Sequence, residues 1–460
     1  MADYQLVIIG AGLSGLASGI RAARFGLKTL IVEQHSLPGG LNSYYYRHGF
    51  LLETGLHAMT NFAEVGDRHA PLNRLFRQLK LSRKKFATHQ QLSSLIRFPE
   101  VSLRFSNDLA LLEAEVEQQF PHCRAPFQKL VAAVREYDPF SPAPWRSARR
   151  FLAALIPDPL LVDMLLLPLM VYGNSEEHDM DLGQFVIMFQ ALFVEGFFRP
   201  HGTMKDFLTM LVEQYKGFGG ELRYRSKVAG VRRQGDRVEG VELAGGEYVS
   251  CDTLLSTVGA PGTAALVGWP ADAPKYEGQM SFVESISVLP AAQRAVLAAD
   301  HTIIFYNSQQ TLSYKRPPIA MNPDWGVICF PENFQDLPEQ DFFQVRITNP
   351  ANYAIWKQAD PKEYQRLKAD SEARTFARVS EIIGNYQQNR VYHDSFTPLT
   401  IERYTAKAQG AVYGSPIKIK DGLTPYRNLF MAGTDQGFLG IVGAMLSGVT
   451  IVNQRILMRS

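Results

Sequence analysis

The densest chemical signal lies near the amino end. Gly10-Ala11-Gly12-Leu13-Ser14-Gly15 sets three glycines at GxGxxG spacing. That spacing binds phosphate through the backbone. Gly10 permits a tight turn, Gly12 removes the side chain that would hold a pyrophosphate away, and Gly15 lets a helix close on a strand. A helix starting there turns unpaired N–H groups and a positive dipole end toward the phosphates. Glu33 closes the next apolar run. A carboxylate there accepts from both hydroxyls of an adenosine ribose and repels a 2′-phosphate.

The elements needed to hold these residues are legible around them. Leu6–Ile9 is a short apolar run suited to a buried parallel strand, and Leu16 to Phe25 carries Ala17, Ile20 and Ala23 at helical spacing. Gly26 ends the helix as a left-handed residue would, and Lys28–Val32 is a second buried strand. Strand, glycine loop, helix, strand and acid in that order set a dinucleotide site apart from a mere glycine-rich turn. Gly217-Phe218-Gly219-Gly220 leads into a strand rather than a helix, so no second nucleotide domain is expected.

Two further segments bear on which dinucleotide is bound. Pro38-Gly39-Gly40-Leu41-Asn42-Ser43 follows Glu33 and Gln34, and Glu53-Thr54-Gly55-Leu56-His57 comes next. Near the carboxyl end, Asn428–Asp435 reads as a buried strand entering a loop, followed by the glycine-rich Gly437–Gly448. This set resembles the flavin-dependent amine oxidase and phytoene desaturase superfamily, and most closely its phytoene desaturase, carotenoid isomerase and retinol saturase branch. Phe396–Tyr404 followed by Gly410–Gly414 resembles that branch's "TP…ERY…G…YG" region. Leu41 stands where amine oxidases usually place an arginine.

The resemblance implies an α/β fold, with a Rossmann-type, glutathione-reductase-like FAD-binding domain interleaved with an α+β substrate cap. FAD would be held by Gly10, Gly12, Leu13, Ser14, Gly15, Glu33, Gln34, Gly39, Gly40, Leu41, Asn42, Gly55, Leu56, His57, Val228, Gly433, Asp435, Gly440, Ile441 and Val442. The resemblance assigns 1–70, 200–290 and 395–460 to the cofactor domain, leaving 71–199 and 291–394 for the cap. His201–Thr203 precedes an amphipathic helix, and 221–259 reads as strands of a small sheet around Val228.

Composition narrows the class. Of 460 residues, 46% are apolar and 20% charged, which fits neither a disordered chain nor an integral membrane protein. With 47 basic and 45 acidic residues the net charge is +2, and no motif points to nucleic acid. Cys123, Cys251 and Cys329 are far apart, so neither a disulfide framework nor a metal site is expected. Phe151–Val171 is interrupted by prolines and aspartates and is not a membrane span, and Met1–Tyr4 lacks the basic region of a secretion signal. A cytoplasmic chain is expected, with peripheral contact to an anionic bilayer through the basic stretch 68–104 and the segment 146–171. An ordinary solvated charged face is the alternative. The apolar 151–172 and the aromatic 185–198 read equally as a tunnel for a greasy ligand or as cap core.

The chemistry follows from the flavin, whose N5 accepts or returns a hydride. The expected substrate is a hydrophobic isoprenoid-type molecule, desaturated, saturated or isomerised. A flavin amine oxidase or protoporphyrinogen-oxidase-like enzyme is one alternative, and a non-catalytic flavin-binding partner protein another. His57, Glu53 and Glu402 are the candidate acid/base groups. The sequence leaves the oligomeric state open.

Overall fold

Strands buried on both faces must be apolar throughout, as Tyr4–Ile9 and Thr29–Val32 are. In the computed structural model, which describes residues 2–55, 58–141, 143–269 and 273–459, these two strands pair in parallel at the centre of a sheet. Glu221–Arg223 extends it on one side. The end of Tyr248–Ser256 and then Leu429–Met431 extend it on the other, all parallel. The long strand Tyr248–Ser256 changes partners along its length: Tyr248–Ser250 pair antiparallel with 240–242 of Arg237–Leu243, which in turn pairs with Val228–Gln234.

Helix Leu13–Arg24 lies on this nucleotide sheet and packs against helices Met204–Gly217 and Gly440–Ile451. The last contact is backbone-close: a Cβ on Gly448 would fall 2.3 Å from the Ser14 carbonyl oxygen. The small residues of Gly437–Asn453 thus serve helix packing.

A second sheet of seven strands forms the cap. Its order is Tyr392–Phe396, Ser281–Pro290, Phe342–Ala351, Trp325–Cys329, Ile303–Asn307, Ser94–Arg97, Ser102–Phe105. All its pairings are antiparallel except Ser94–Arg97 with Ile303–Asn307. Period-2 alternation splits the side chains between two cores. Ile303 and Phe305 join the helices between 109 and 189, while Ile304 and Tyr306 join helix Pro361–Ile383 through Phe376, Val379 and Ile383. By sheet membership, Ser281–Pro290 and Tyr392–Phe396 belong to the cap, so the sequence-based limits at 290 and 395 shift to before Ser281 and after Phe396. Their pairing, not their composition, places both strands in the cap.

The apolar helix Pro159–Gly173 is cap core: residues Leu161 to Val171 are all buried. Its Asp163 is ion-paired with Arg149 at 2.5 Å and accepts from the Leu312 N–H at 2.8 Å. Among the described residues no helix is long and apolar enough to cross a membrane. The basic stretch is divided. Arg83 is tied to Asn73, Phe86 and Ala63, and Arg104 to Glu115, whereas Arg68, Arg74, Arg77, Lys80, Lys84 and Lys85 are exposed.

Candidate cofactor and substrate site

The three fingerprint glycines meet three different constraints. Gly10 has φ +100°, and a Cβ there would lie 2.7 Å from Thr257 Oγ1. A Cβ on Gly15 would fall 2.0 Å from the Gly10 carbonyl oxygen, so the helix can start where it does only with glycine. Around Gly12 there is open space, with nothing within 4 Å of an added Cβ. Beside it, the buried Ser14 Oγ has no hydrogen-bond partner. An open backbone surface, an orphaned hydroxyl and a helix N-terminus together fit a phosphate group.

The glycine pair completes this cradle. Gly39 donates its N–H to the Ala11 carbonyl at 2.9 Å, and Gly40, with φ +58°, sits so that its Cβ would touch the Gly12 Cα at 3.6 Å. Glu33 is buried at the end of its strand. One carboxylate oxygen accepts from Ala11 N–H at 2.7 Å and the other from His35 N–H at 2.9 Å. These bonds orient the carboxylate, and each oxygen keeps acceptor capacity for a ribose hydroxyl.

These residues line one end of a cavity of about 1060 Å³, a volume above the usual ~300–1,000 Å³ of a small-ligand site. Its other end is walled by the cap and carboxyl-terminal segments, including Val171, Tyr172, Phe282, Val327, Val412 and Tyr413. Tyr413 donates its hydroxyl to the Val171 carbonyl, and burial pushes the phenols of Tyr172 and Tyr413 well above the ordinary tyrosine range. Two cap carboxylates line the cavity: Asp394, which accepts from the Tyr45 hydroxyl at 2.9 Å, and Glu284, held by the fully buried guanidinium of Arg346, which also donates to the Thr54 carbonyl at 3.1 Å.

Most of the residues expected to touch a cofactor are on this surface: Gly10, Gly12, Leu13, Ser14, Glu33, Gln34, Gly39, Gly40, Leu41, Asn42, Gly55, Val228, Gly433, Gly440 and Ile441. Leu56 and His57 lie outside the described residues. Gly15 acts through helix packing, as above. Val442 faces the core of the nucleotide domain rather than the cavity. Asp435 is also off the wall. Its carboxylate accepts from Ala260 N–H at 2.6 Å and Ser415 N–H at 2.8 Å, bracing a helix start and a loop.

Two acid/base expectations need correction. Glu53 is buried away from the cavity, ion-paired with Arg199 at 2.6 Å and accepting from Met204 N–H at 2.6 Å. It fastens the start of helix Met204–Gly217 and does not line the cavity. Glu402 points outward from helix Pro398–Thr405 to Tyr353 at 2.7 Å and Lys357 at 3.1 Å, while Thr400, Ile401, Tyr404 and Thr405 face the cavity. The aromatic run at 185–198 also resolves as core, with Phe185, Phe189, Phe193 and Phe197 all 0% exposed and absent from the wall.

Sequence reasoning missed Glu284 and Lys407. Glu284 had a signal, as the single charge inside the buried strand Ser281–Pro290. Lys407 had none. It lines the cavity and donates to Thr434 Oγ1 at 2.8 Å and the Val412 carbonyl at 3.1 Å. Behind it Lys418 donates to the Tyr413 and Thr434 carbonyls, and burial pushes its amine down to about 8.

A Rossmann-type cradle thus opens into a cavity walled by the cap. Sequence comparison identifies the class: the profile of the flavin containing amine oxidoreductase family matches residues 13–454, and the chain belongs to that family. It is a flavin-containing oxidoreductase. A phytoene dehydrogenase of Streptomyces griseus is 27% identical over 301 residues, covering 57% of this chain and 56% of that protein. A chloroplastic prolycopene isomerase of Arabidopsis thaliana is 21% identical over 97% of this chain and 81% of its own length. The fold matches the crystal structure of an oxidoreductase from Methanosarcina mazei at TM-score 0.69 and 15% identity, covering 98% of this chain and 100% of that one.

Proposed function

We propose that the chain binds its flavin as FAD and uses it on a hydrophobic isoprenoid-type substrate, a carotenoid, retinoid or related polyene, by desaturation, saturation or double-bond isomerisation. The observation that carries this reading is the continuity of one cavity from the phosphate cradle to an apolar, aromatic wall. Glu33 supports the adenosine half that separates FAD from FMN. The likeness to the phytoene dehydrogenase and the prolycopene isomerase supports the substrate class.

A bound flavin supplies a hydride acceptor or donor at N5. The chain does the rest: Gly12, Ser14 and the glycine pair hold the phosphates, Glu33 the ribose, and Val171, Phe282, Val327 and Val412 exclude water and orient an apolar chain. An amine substrate is the second reading, favoured by Tyr172, Tyr413 and Glu284 on the wall. Against it, the Arg346 guanidinium offsets the Glu284 charge.

The purified protein should be yellow, and Glu33→Arg should lose FAD, since it replaces a ribose acceptor with a cationic donor. A colourless preparation that cannot be reconstituted defeats the cofactor assignment. Lipid extraction followed by mass spectrometry should recover a polyene, and anaerobic mixing with oxidised or reduced enzyme then gives the direction of electron flow. Recovery of an amine instead would favour the second reading. The exposed basic residues of 68–104 support peripheral contact with an anionic bilayer, which flotation with vesicles containing phosphatidylglycerol tests.

A further inference from the structure

We infer that Lys407 is the cation that neutralises the pyrophosphate of the bound dinucleotide. This rests on the FAD reading above and adds a residue to it. Three lines of geometry meet at this side chain.

The first is its position. Lys407 donates to Thr434 Oγ1 at 2.8 Å. Thr434 follows Gly433, whose added Cβ would lie 4.0 Å from the orphaned Ser14 Oγ in the first turn of helix Leu13–Arg24. Lys407 thus bonds the residue that follows Gly433, and it lines the same cavity as Gly12 and Ser14.

The second is its lack of compensation. Among the described residues no carboxylate lies within ion-pair distance of Lys407 Nζ, and its hydrogen-bond partners are a hydroxyl and a carbonyl, both neutral. Burial lowers its pKa, opposed by the charge of the more distant Asp435. A half-buried ammonium with only neutral partners is stabilised when an anion reaches it.

The third is elimination along the wall. The other lysine and arginine side chains lining the cavity are Arg47 and Lys227, and both are exposed. Arg47 lies over the Tyr45 ring, with 6.0 Å from guanidinium to centroid. Lys227 adjoins Val228, on the strand that walls the adenosine end. Leu41, after the glycine pair, offers no side-chain donor. Lys407 is thus the sheltered cation beside the cradle.

The test uses full-length apoprotein titrated with FAD, read by quenching of flavin fluorescence. Lys407→Gln keeps donors for Thr434 and Val412 and removes only the charge. It should weaken FAD binding by ~10-fold or more, as loss of a charged hydrogen-bond partner does. Lys407→Arg should stay within about threefold of wild type. The FAD-induced rise in melting temperature should shrink in Lys407→Gln, with the apoprotein's far-ultraviolet spectrum unchanged. An FAD Kd within about twofold of wild type in Lys407→Gln would overturn the proposal, and a weakened sulfite adduct in that case would place the amine at the flavin ring instead. Equal losses in Lys407→Arg and Lys407→Gln would also overturn it, by showing a packing role. A wild-type chain that binds no FAD at all would overturn the site reading itself, and this inference with it.

Discussion

The two seven-stranded sheets of this molecule bear on function in different ways. In the nucleotide sheet, the cavity is lined from loops at the ends of strands, at Gly10, Gly12–Ser14, Gly39–Asn42 and Gly433. In the cap sheet it is lined by single side chains along strands, at Phe282, Glu284, Val327 and Thr348. A backbone site demands glycine at particular conformations and therefore leaves a motif. A side-chain site demands only that some residues of a strand point one way, so its identity changes freely with the ligand.

The contrast can be broken most sharply at Gly15. A valine there would drive its Cβ into the Gly10 carbonyl, a backbone atom that cannot move aside. Gly15→Val should abolish FAD binding and soluble yield together, measured by flavin absorbance per milligram. A functional Gly15→Val would show that the cradle is less rigid than this geometry requires. Next in size is Arg346→Met, which leaves Glu284 as a buried charge without its cation. It should destabilise the chain by about 3–5 kcal/mol in urea unfolding, with much of the loss recovered in the Arg346→Met, Glu284→Gln double variant.

Phe185→Ala tests whether the aromatic run is core or tunnel. Cavity creation at a fully buried phenylalanine should cost about 3–5 kcal/mol, with the FAD Kd and the profile of extracted lipids unchanged. A changed lipid profile without loss of stability would return the run to the ligand wall.

The smallest effect concerns pH. Burial raises the carboxyl of Glu332 to about 7, although it accepts from Gln344 N–H at 2.9 Å. With the unfolded value near that of a free glutamate, the folded state binds more protons across this interval. Its contribution is full below about pH 4.5 and is lost as pH rises toward 7, by up to about 3 kcal/mol. Glu332→Gln should flatten that fall in urea midpoints taken from pH 4.5 to 7.5, and an unchanged slope would exclude this group as its source.

The legibility of each residue follows the same division. The glycine loops, Glu33 and the carboxyl-terminal glycine-rich helix could be read in order because each answers a local constraint. Glu53, Glu402 and Asp435 stand next to such motifs and carry chemistry-bearing side chains, yet two of them face away into ion pairs and hydrogen bonds and the third braces a loop. Adjacency in sequence says nothing about which way a carboxylate points once its strand or helix has packed. The Phe185–Phe198 run was ambiguous for another reason: apolar side chains suit a core and a greasy pocket equally, and only the neighbouring helices decide.

By itself the amino-acid sequence determined the dinucleotide cradle, because backbone conformations and helix starts depend on a few consecutive residues. An alternation of cofactor and cap segments was implied only through the family resemblance. Tertiary structure alone decided where those segments divide, since Ser281–Pro290 joins the cap through pairing with a strand some sixty residues away. It likewise decided that Lys407 and Glu284 share a cavity with the cradle. Those two contacts close loops across the whole chain, and no local spacing encodes them.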